Sequence, residues 1–184
     1  MNVSVQIARA DHSRYAEVIS AMIREAALAR GTGIAHRPPD YIRHKITEGL
    51  AIIALASEHQ EVTVAGFCCI GSWSHGRYTA TSGLIVNERF RKCGLARWMK
   101  EAAVGLSRRK FPSAQLFSIT SSLAVMTINS DLEYRPVTFS ELPTDDAFWN
   151  QCQSCPNYDI LMRTNRKNCL CTAMLMNPYS TRKL

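Results

Sequence analysis

The chain has 184 residues and a mass of 20.6 kDa, with 22 Lys and Arg against 15 Asp and Glu, a net charge of +7 and an isoelectric point near 9.2. That length can bury about 70% of its extended surface without a disulfide or metal staple, and 46% hydrophobic with 20% charged residues excludes a disordered or collagen-like chain. The longest purely apolar run, Leu50 to Ala56, falls far short of the roughly 20 residues that span a bilayer, so no membrane partner is expected. Seven cysteines, an odd count that includes the vicinal pair Cys68-Cys69, make a poor disulfide framework, and Met1 to Ile7 shows no basic leader before an apolar run. A cytoplasmic location is expected from both. The charge excess suits nucleic acid, an anionic surface or a small anionic ligand, and composition does not choose among them.

In chain order, Val3 to Ile7 alternates and is β-branched, a first strand. Asp11 is placed to cap a helix whose apolar side is Tyr15, Val18, Ile19, Met22, Ile23, Ala26 and Ala27, spaced three and four apart. A loop of glycine, proline and basic residues runs from Arg30 to Pro39; Pro39 suits the first turn of a short helix, Asp40 to Glu48, which Gly49 ends. Ala51 to Ala56 and Val62 to Ile70 read as an antiparallel hairpin, and Tyr78 to Val86 as a strand after the turn Gly71 to Arg77. A helix then opens at Gly94, with Leu95, Trp98, Met99, Ala102, Ala103 and Leu106 on a core face and Gly105 as a mark of close packing. Ala114 to Thr120 reads as a strand, Ser122 to Leu132 as a helix and Arg135 to Ser140 as a strand. Asp145 to Lys167 is polar and irregular with one helical turn near Phe148-Trp149, and Cys169 to Met176 is a last strand. With no repeat or linker, the order predicts one α/β domain over 1–184, a mixed sheet flanked by helices.

The junction between Val86 and the helix at Gly94 carries the most chemistry. Between Glu88 and Lys110 stand eight basic residues against two acids, so most of the net charge is local. A strand turning into a helix here presents unpaired backbone N–H groups at the positive end of the helix dipole, a nest for phosphate. Gly94 allows close approach, Ala96 keeps the first turn free of bulk, and Arg91 adds charge.

The run Val86-Asn87-Glu88-Arg89-Phe90-Arg91-Lys92-Cys93-Gly94-Leu95-Ala96 resembles the acyl-CoA-binding motif of the GNAT superfamily of N-acetyltransferases, Arg/Gln-x-x-Gly-x-Gly/Ala. The element order matches that fold from Val3 to about Met176, which implies a GNAT-like, mostly antiparallel sheet. It also implies acetyl-CoA as acyl donor, with the pyrophosphate on the amides of Arg91, Lys92, Cys93, Gly94, Leu95 and Ala96. The pantetheine arm would lie along Leu84, Ile85 and Val86, and Ser121, Ser122 and Asn129 would border the arm and the thiol. Family members often carry a tyrosine as acid to the leaving thiolate where Asn129 stands here, and an amide supplies no proton. Tyr134, Tyr158 and water remain as alternatives. His75 and Glu88 are the candidate bases, and backbone N–H groups between the fourth and fifth strands are candidates to polarise the thioester carbonyl.

The loop with Arg30, His36 and Arg37 lies where the family recognises its acceptor, and those side chains suit a carboxylate. Arg30 to Ala35 and Asn157 to Arg163 are similar to a bacterial GNAT group associated with arginine biosynthesis, which implies glutamate or a related amino acid as acceptor. The expected partner is thus a small-molecule amine, with a homodimer left open and nucleic acid not expected. A non-catalytic acyl-CoA-binding module and, behind it, a nucleic-acid-binding protein are the alternatives. Cys152-x2-Cys155 and Cys169-x-Cys171 approach zinc spacing, but ordinary thiols and no metal are the expectation; on a strand the last two would share a face.

Overall fold

The computed structural model of the chain describes residues 2–30, 34–59 and 61–178. Strands β1 (Asn2–Ile7), β2 (Ala51–Glu58), β3 (Glu61–Trp73) and β4 (Tyr78–Val86) pair antiparallel in sequence order. The second half, β5 (Gln115–Thr120), β6 (Arg135–Val137) and β7 (Thr172–Met176), joins them to give the order β1-β2-β3-β4-β5-β7-β6. Every pairing is antiparallel except β4 with β5.

Helices cover both faces, which is why β2 and the middle of β3 read as continuous apolar runs rather than alternating ones. On one face, α1 (Ala16–Arg30) and α2 (Pro39–Thr47) set Ile19, Ile23, Ile42 and Ile46 against Ile53, Leu55, Phe67 and Cys69. On the other, α3 (Leu95–Lys110) sets Leu95, Met99, Ala103 and Leu106 against Ile52, Ala54, Cys68 and Ile70. Behind β5 and β7, α4 (Leu123–Asp131) packs on the α3 side. The short helices α5 (Asp146–Trp149) and α6 (Tyr158–Arg163) close over an aromatic cluster of Trp73, Phe117, Phe139, Phe148 and Trp149.

Several local expectations change. The segment after Arg9 is a 3-10 turn, Ala10–Tyr15, in which the Arg9 N–H donates to His12 Nδ1 at 3.0 Å, so α1 starts at Ala16 and Asp11 caps nothing. Trp98 lies on the expected core face of α3 yet is 48% exposed; the buried arc turns instead toward Lys100 and Val104. A Cβ on Gly105 would meet only Arg109 Nη1 at 3.6 Å, so close packing is not its reason. Phe139–Glu141 curls into a 3-10 turn held by a reciprocal Thr138–Glu141 cap, which ends β6 at Val137. The tail holds α6 as well as the turn near Trp149, and β7 begins at Thr172, so Cys169 and Cys171 precede the strand.

Two irregularities open the sheet at its centre. The parallel register of β4 and β5 covers only Tyr78↔Gln115 to Ala80↔Phe117, and beyond that point the strands part. Along β4, Ile85 faces Phe67 while Ser82 faces Cys69, so two residues of β4, Gly83 and Leu84, oppose Cys68 alone. This is a β-bulge, and Gly83 supplies its φ of +65°.

Candidate functional site

The parting of β4 and β5 opens a cavity of about 200 Å³. Thr81 to Ile85 of β4 form one wall, and Ser118 to Ser122 at the end of β5 form the other. Its far side is built from Ile34, Ala35 and Arg37 before α2 and from Cys152, Cys155, Asn157, Tyr158, Cys169 and Cys171 around α6. No Asp, Glu or His is among the described residues that line it; Arg37 and Lys100 are, so its fixed charge is positive.

At the mouth of β4 the chain runs through the turn Glu88–Phe90 into α3. Lys92 (φ +64°) and Gly94 (φ +82°) are both left-handed, and a Cβ on Gly94 would meet nothing within 4 Å. The Trp98 N–H to Gly94 carbonyl bond, 3.1 Å, is the first of the helix, so the N–H groups of Leu95, Ala96 and Arg97 lie ahead of it at the N-terminal end. No acidic residue occupies that first turn. Arg91 Nε reaches the Val86 carbonyl at 3.4 Å while its guanidinium pairs with Glu88 at 2.9 Å, and Cys93 Sγ donates to the Phe90 carbonyl at 2.9 Å. The loop is thus an open cradle of backbone donors with positive charge beside it, which fits a pyrophosphate.

The other basic residues of this stretch do different work. Arg108 donates to the carbonyls of Ala114 and Asn177, both at 2.7 Å, and Lys110 to that of Glu48 at 3.2 Å. They sit with Arg109 in the last turn of α3, about 20 Å from the cradle at 1.5 Å rise per residue, where cations suit the negative end of the dipole. Arg97 pairs with Asp131 of α4, and Arg89 with Glu58 at 3.6 Å.

Leu84, Ile85 and Ser122 line the cavity, as does Ser121; Ser122 also caps α4, accepting from the Val125 N–H at 3.5 Å. Arg37 is fixed in the wall: its Nη2 and Nε reach Ser82 Oγ at 2.8 and 3.3 Å, its Nη1 donates to the His36 carbonyl at 3.0 Å, and it stacks on Tyr41 at 5.1 Å. His36 is exposed and outside the cavity, its N–H bonded to Ser154 Oγ at 2.9 Å. The side chain of Arg30 and all of Gly31 to Gly33 lie outside the described residues.

Neither candidate base is brought to the cavity. His75 is exposed on the turn between β3 and β4, at the closed end of β4, and Glu88 is exposed on the outer loop. Asn129 is wholly buried beneath α4, its Nδ2 on Met174 Sδ at 3.6 Å, and lines nothing. Tyr134 is buried with its hydroxyl unpartnered, and burial raises its pKa above the ordinary phenol value. Of the alternative acids only Tyr158 reaches the cavity.

Three features escaped sequence reasoning. Ser82 anchors Arg37; Lys100 reaches the cavity floor from α3; and the four thiols near α6 form one wall. All four are free, and no group of three or more His, Cys, Asp or Glu among the described residues is placed to hold a metal. Burial pushes Cys152 up to about 11 and Cys171 up to about 12, which leaves both protonated at neutral pH. A signal existed for Lys100, since Ala96, Ala103, Val104 and Ser107 make an uncharged stripe of short side chains around it.

No protein-family model matches the sequence, and no curated protein matches it. Solved structures do. N-acetylglutamate synthase from Neisseria gonorrhoeae, complexed with coenzyme A and N-acetyl-glutamate, is similar over 97% of this chain at 16% identity and a TM-score of 0.67. The chain spans only 36% of that protein. An acetyltransferase of the GNAT family from Staphylococcus aureus matches 96% of this chain and 99% of its own at 12% identity and a TM-score of 0.64. The GNAT superfamily phosphinothricin acetyltransferase of Sinorhizobium meliloti, complexed with acetyl-CoA, matches 96% and 89% at 14% identity and 0.61. Near-complete coverage, the seven-stranded order and the β4–β5 parting together establish that this chain has the GNAT acetyltransferase fold.

Proposed function

We propose that the protein is an N-acetyltransferase that moves an acetyl group from acetyl-CoA to the amino group of a small, carboxylate-bearing acceptor such as glutamate. The observation that carries this reading is an open backbone cradle, Arg91 to Ala96, that directly follows the strand, β4, whose Thr81 to Ile85 wall a cationic cavity opened by the parting from β5. The cradle amides, with Arg91 and Lys92, would hold the pyrophosphate, and Leu84 to Val86 the pantetheine arm. Acetyl-CoA supplies the activated acyl group. The bulge at Gly83 and Leu84 turns backbone into the opened wall, where N–H donors would polarise the carbonyl.

Arg37 is the natural anchor for the acceptor's carboxylate. Ser82 and Tyr41 hold it in one orientation, so little side-chain entropy is lost on binding, and a guanidinium pairs with a carboxylate in two parallel bonds. The glutamate-derived ligand in the Neisseria structure agrees with that chemistry. With no carboxylate or imidazole in the described cavity lining, the acceptor amine gives its proton to water, and the ascending limb of activity with pH should report the amine's own deprotonation. A cavity of this size orients two reactants in contact, the part of the barrier an enclosed site lowers most.

Titration with acetyl-CoA followed by a CoA-release screen over amines, beginning with L-glutamate, tests the reading. Binding with release is expected. Binding without release to any amine would favour the acyl-CoA-binding module, and no binding would end both.

A further inference from the structure

Lys100 lies in the middle of α3 and is 1% exposed, yet it lines the cavity floor. Its Nζ donates to Thr81 Oγ1, and Thr81 is the first residue of β4 beyond the last pair with β5, Ala80↔Phe117. The ammonium therefore stands at the vertex where the strands part, two residues before the bulge at Gly83. The groups facing it are the Thr81 hydroxyl of β4, the Cys68 thiol of β3, and the ring of Tyr134 at 5.2 Å. None is an anion: burial pushes the Cys68 thiol up to about 12, and no described carboxylate is among the charges acting on Nζ.

A buried cation without an anionic partner is costly, and Lys100 is among the residues that line the space where the acyl group would sit. Resting on the acetyltransferase reading above, we propose that Lys100 is the proton donor to the departing CoA thiolate. As the carbon–sulfur bond breaks, its electron pair stays on sulfur and a proton passes from Nζ to form the S–H bond. The neutral lysine is reprotonated by water, which has taken the proton that the attacking amine releases. Asn129 and Tyr134 are buried away from the cavity, so among the alternative acids the rival donor is Tyr158, which lines the far side with α6. Burial also brings Lys100 down to about 8, near the ordinary thiol value of about 8.5, the match that efficient proton transfer requires.

The test needs no acceptor. Coenzyme A itself is titrated into the protein and the thiolate is read by its ultraviolet absorbance against pH. A cation beside the sulfur should lower the bound thiol's pKa by about one unit, giving about tenfold more thiolate at pH 7 than free CoA. Lys100→Met should abolish that shift while CoA still binds, and Thr81→Val, which removes only the hydrogen bond, should reduce it. With acetyl-CoA and L-glutamate, Lys100→Met should lose about 100-fold in kcat and the descending limb near pH 8. CoA that binds wild-type protein with an unshifted thiol overturns the proposal and leaves the acetyltransferase reading standing, whether or not Lys100→Met folds. A shift that survives Lys100→Met but disappears in Tyr158→Phe would assign the proton to Tyr158 and overturn it equally. Failure of CoA to bind at all overturns the acetyltransferase reading and this proposal with it.

Discussion

The two sides of the opened sheet are made in different ways. The side proposed for the acyl donor, from Leu84 to Ala96, is a contiguous stretch in which one strand, one turn and one helix terminus set the geometry. The side proposed for the acceptor brings Arg37, Ser82, Tyr158 and the thiols of Cys152, Cys155, Cys169 and Cys171 together from segments more than 100 residues apart. Backbone amides do the work on the first side and side chains on the second. A backbone cradle tolerates most side-chain changes but not bulk or negative charge at its centre, whereas the side-chain wall should be sensitive to each anchoring group.

The largest effect that would sharpen this contrast is at Gly94. Gly94→Glu places a carboxylate in the cradle, and acetyl-CoA affinity by calorimetry should fall by about 100-fold or more. Gly94→Ala separates charge from backbone: its Cβ enters open space, so the cost is the left-handed φ, about 1–2 kcal/mol of folding stability, with binding retained within about tenfold. Equal losses in the two variants would mean that conformation, not the anion site, dominates.

On the other side, Arg37→Met should raise the acceptor KM by about 10- to 100-fold, the worth of a charge-assisted hydrogen-bonded pair, and leave acetyl-CoA affinity unchanged. Loss of both affinities would break the division between the two sides.

Beneath them, Lys100 should leave a mark on stability. Its folded pKa, about 8, lies below the unfolded value of about 10.4, so the unfolded chain binds more protons between those limits. Its contribution therefore grows more favourable as pH rises from about 8 to about 10.4. Cys68 and Tyr134, both raised by burial, act in the opposite direction in both proteins. The stability difference between wild type and Lys100→Met by denaturant unfolding should thus shift toward wild type over that window, and a constant difference would contradict it.

Smaller effects complete the set. Gly105→Ala should stabilise the protein by about 0.5–1 kcal/mol, seen as a higher Tm, since helix propensity improves and the new methyl meets only the end of Arg109. His75→Ala should change kcat less than twofold, because the ring is exposed on a turn outside the cavity. A large loss there would show that the turn joins the acceptor side.

How much could be read in advance follows from the same contrast. The strand Tyr78 to Val86 matches the structure residue for residue and the helix placed at Gly94 begins at Leu95 with Gly94 as its cap, because turn residues, a glycine at a helix start and helical spacing are local signals. Local signals also misled. Trp98 satisfied the helical period, but the period cannot say how wide a face the sheet covers, and the sheet took in Lys100 instead. The basic run from Glu88 to Lys110 read as one patch, although a helix separates its ends by about 20 Å. Cys169 and Cys171 fell outside the strand that their apolar context suggested.

By itself, then, the sequence determined the order of the seven strands and of α1 to α4, the helices over the sheet and the open, glycine-capped N-terminus of α3, all of which depend on neighbours within a few turns of chain. Only the tertiary structure decided the point at which β4 and β5 part, and with it which side chains face the cavity. Two strands distant in sequence part where their pairing ends at Ala80 and Phe117, and no local periodicity encodes the end of a long-range register. The parting gives Arg37 its anchor on Ser82 and brings Lys100 to the floor, while His75, Glu88 and Asn129 are left outside.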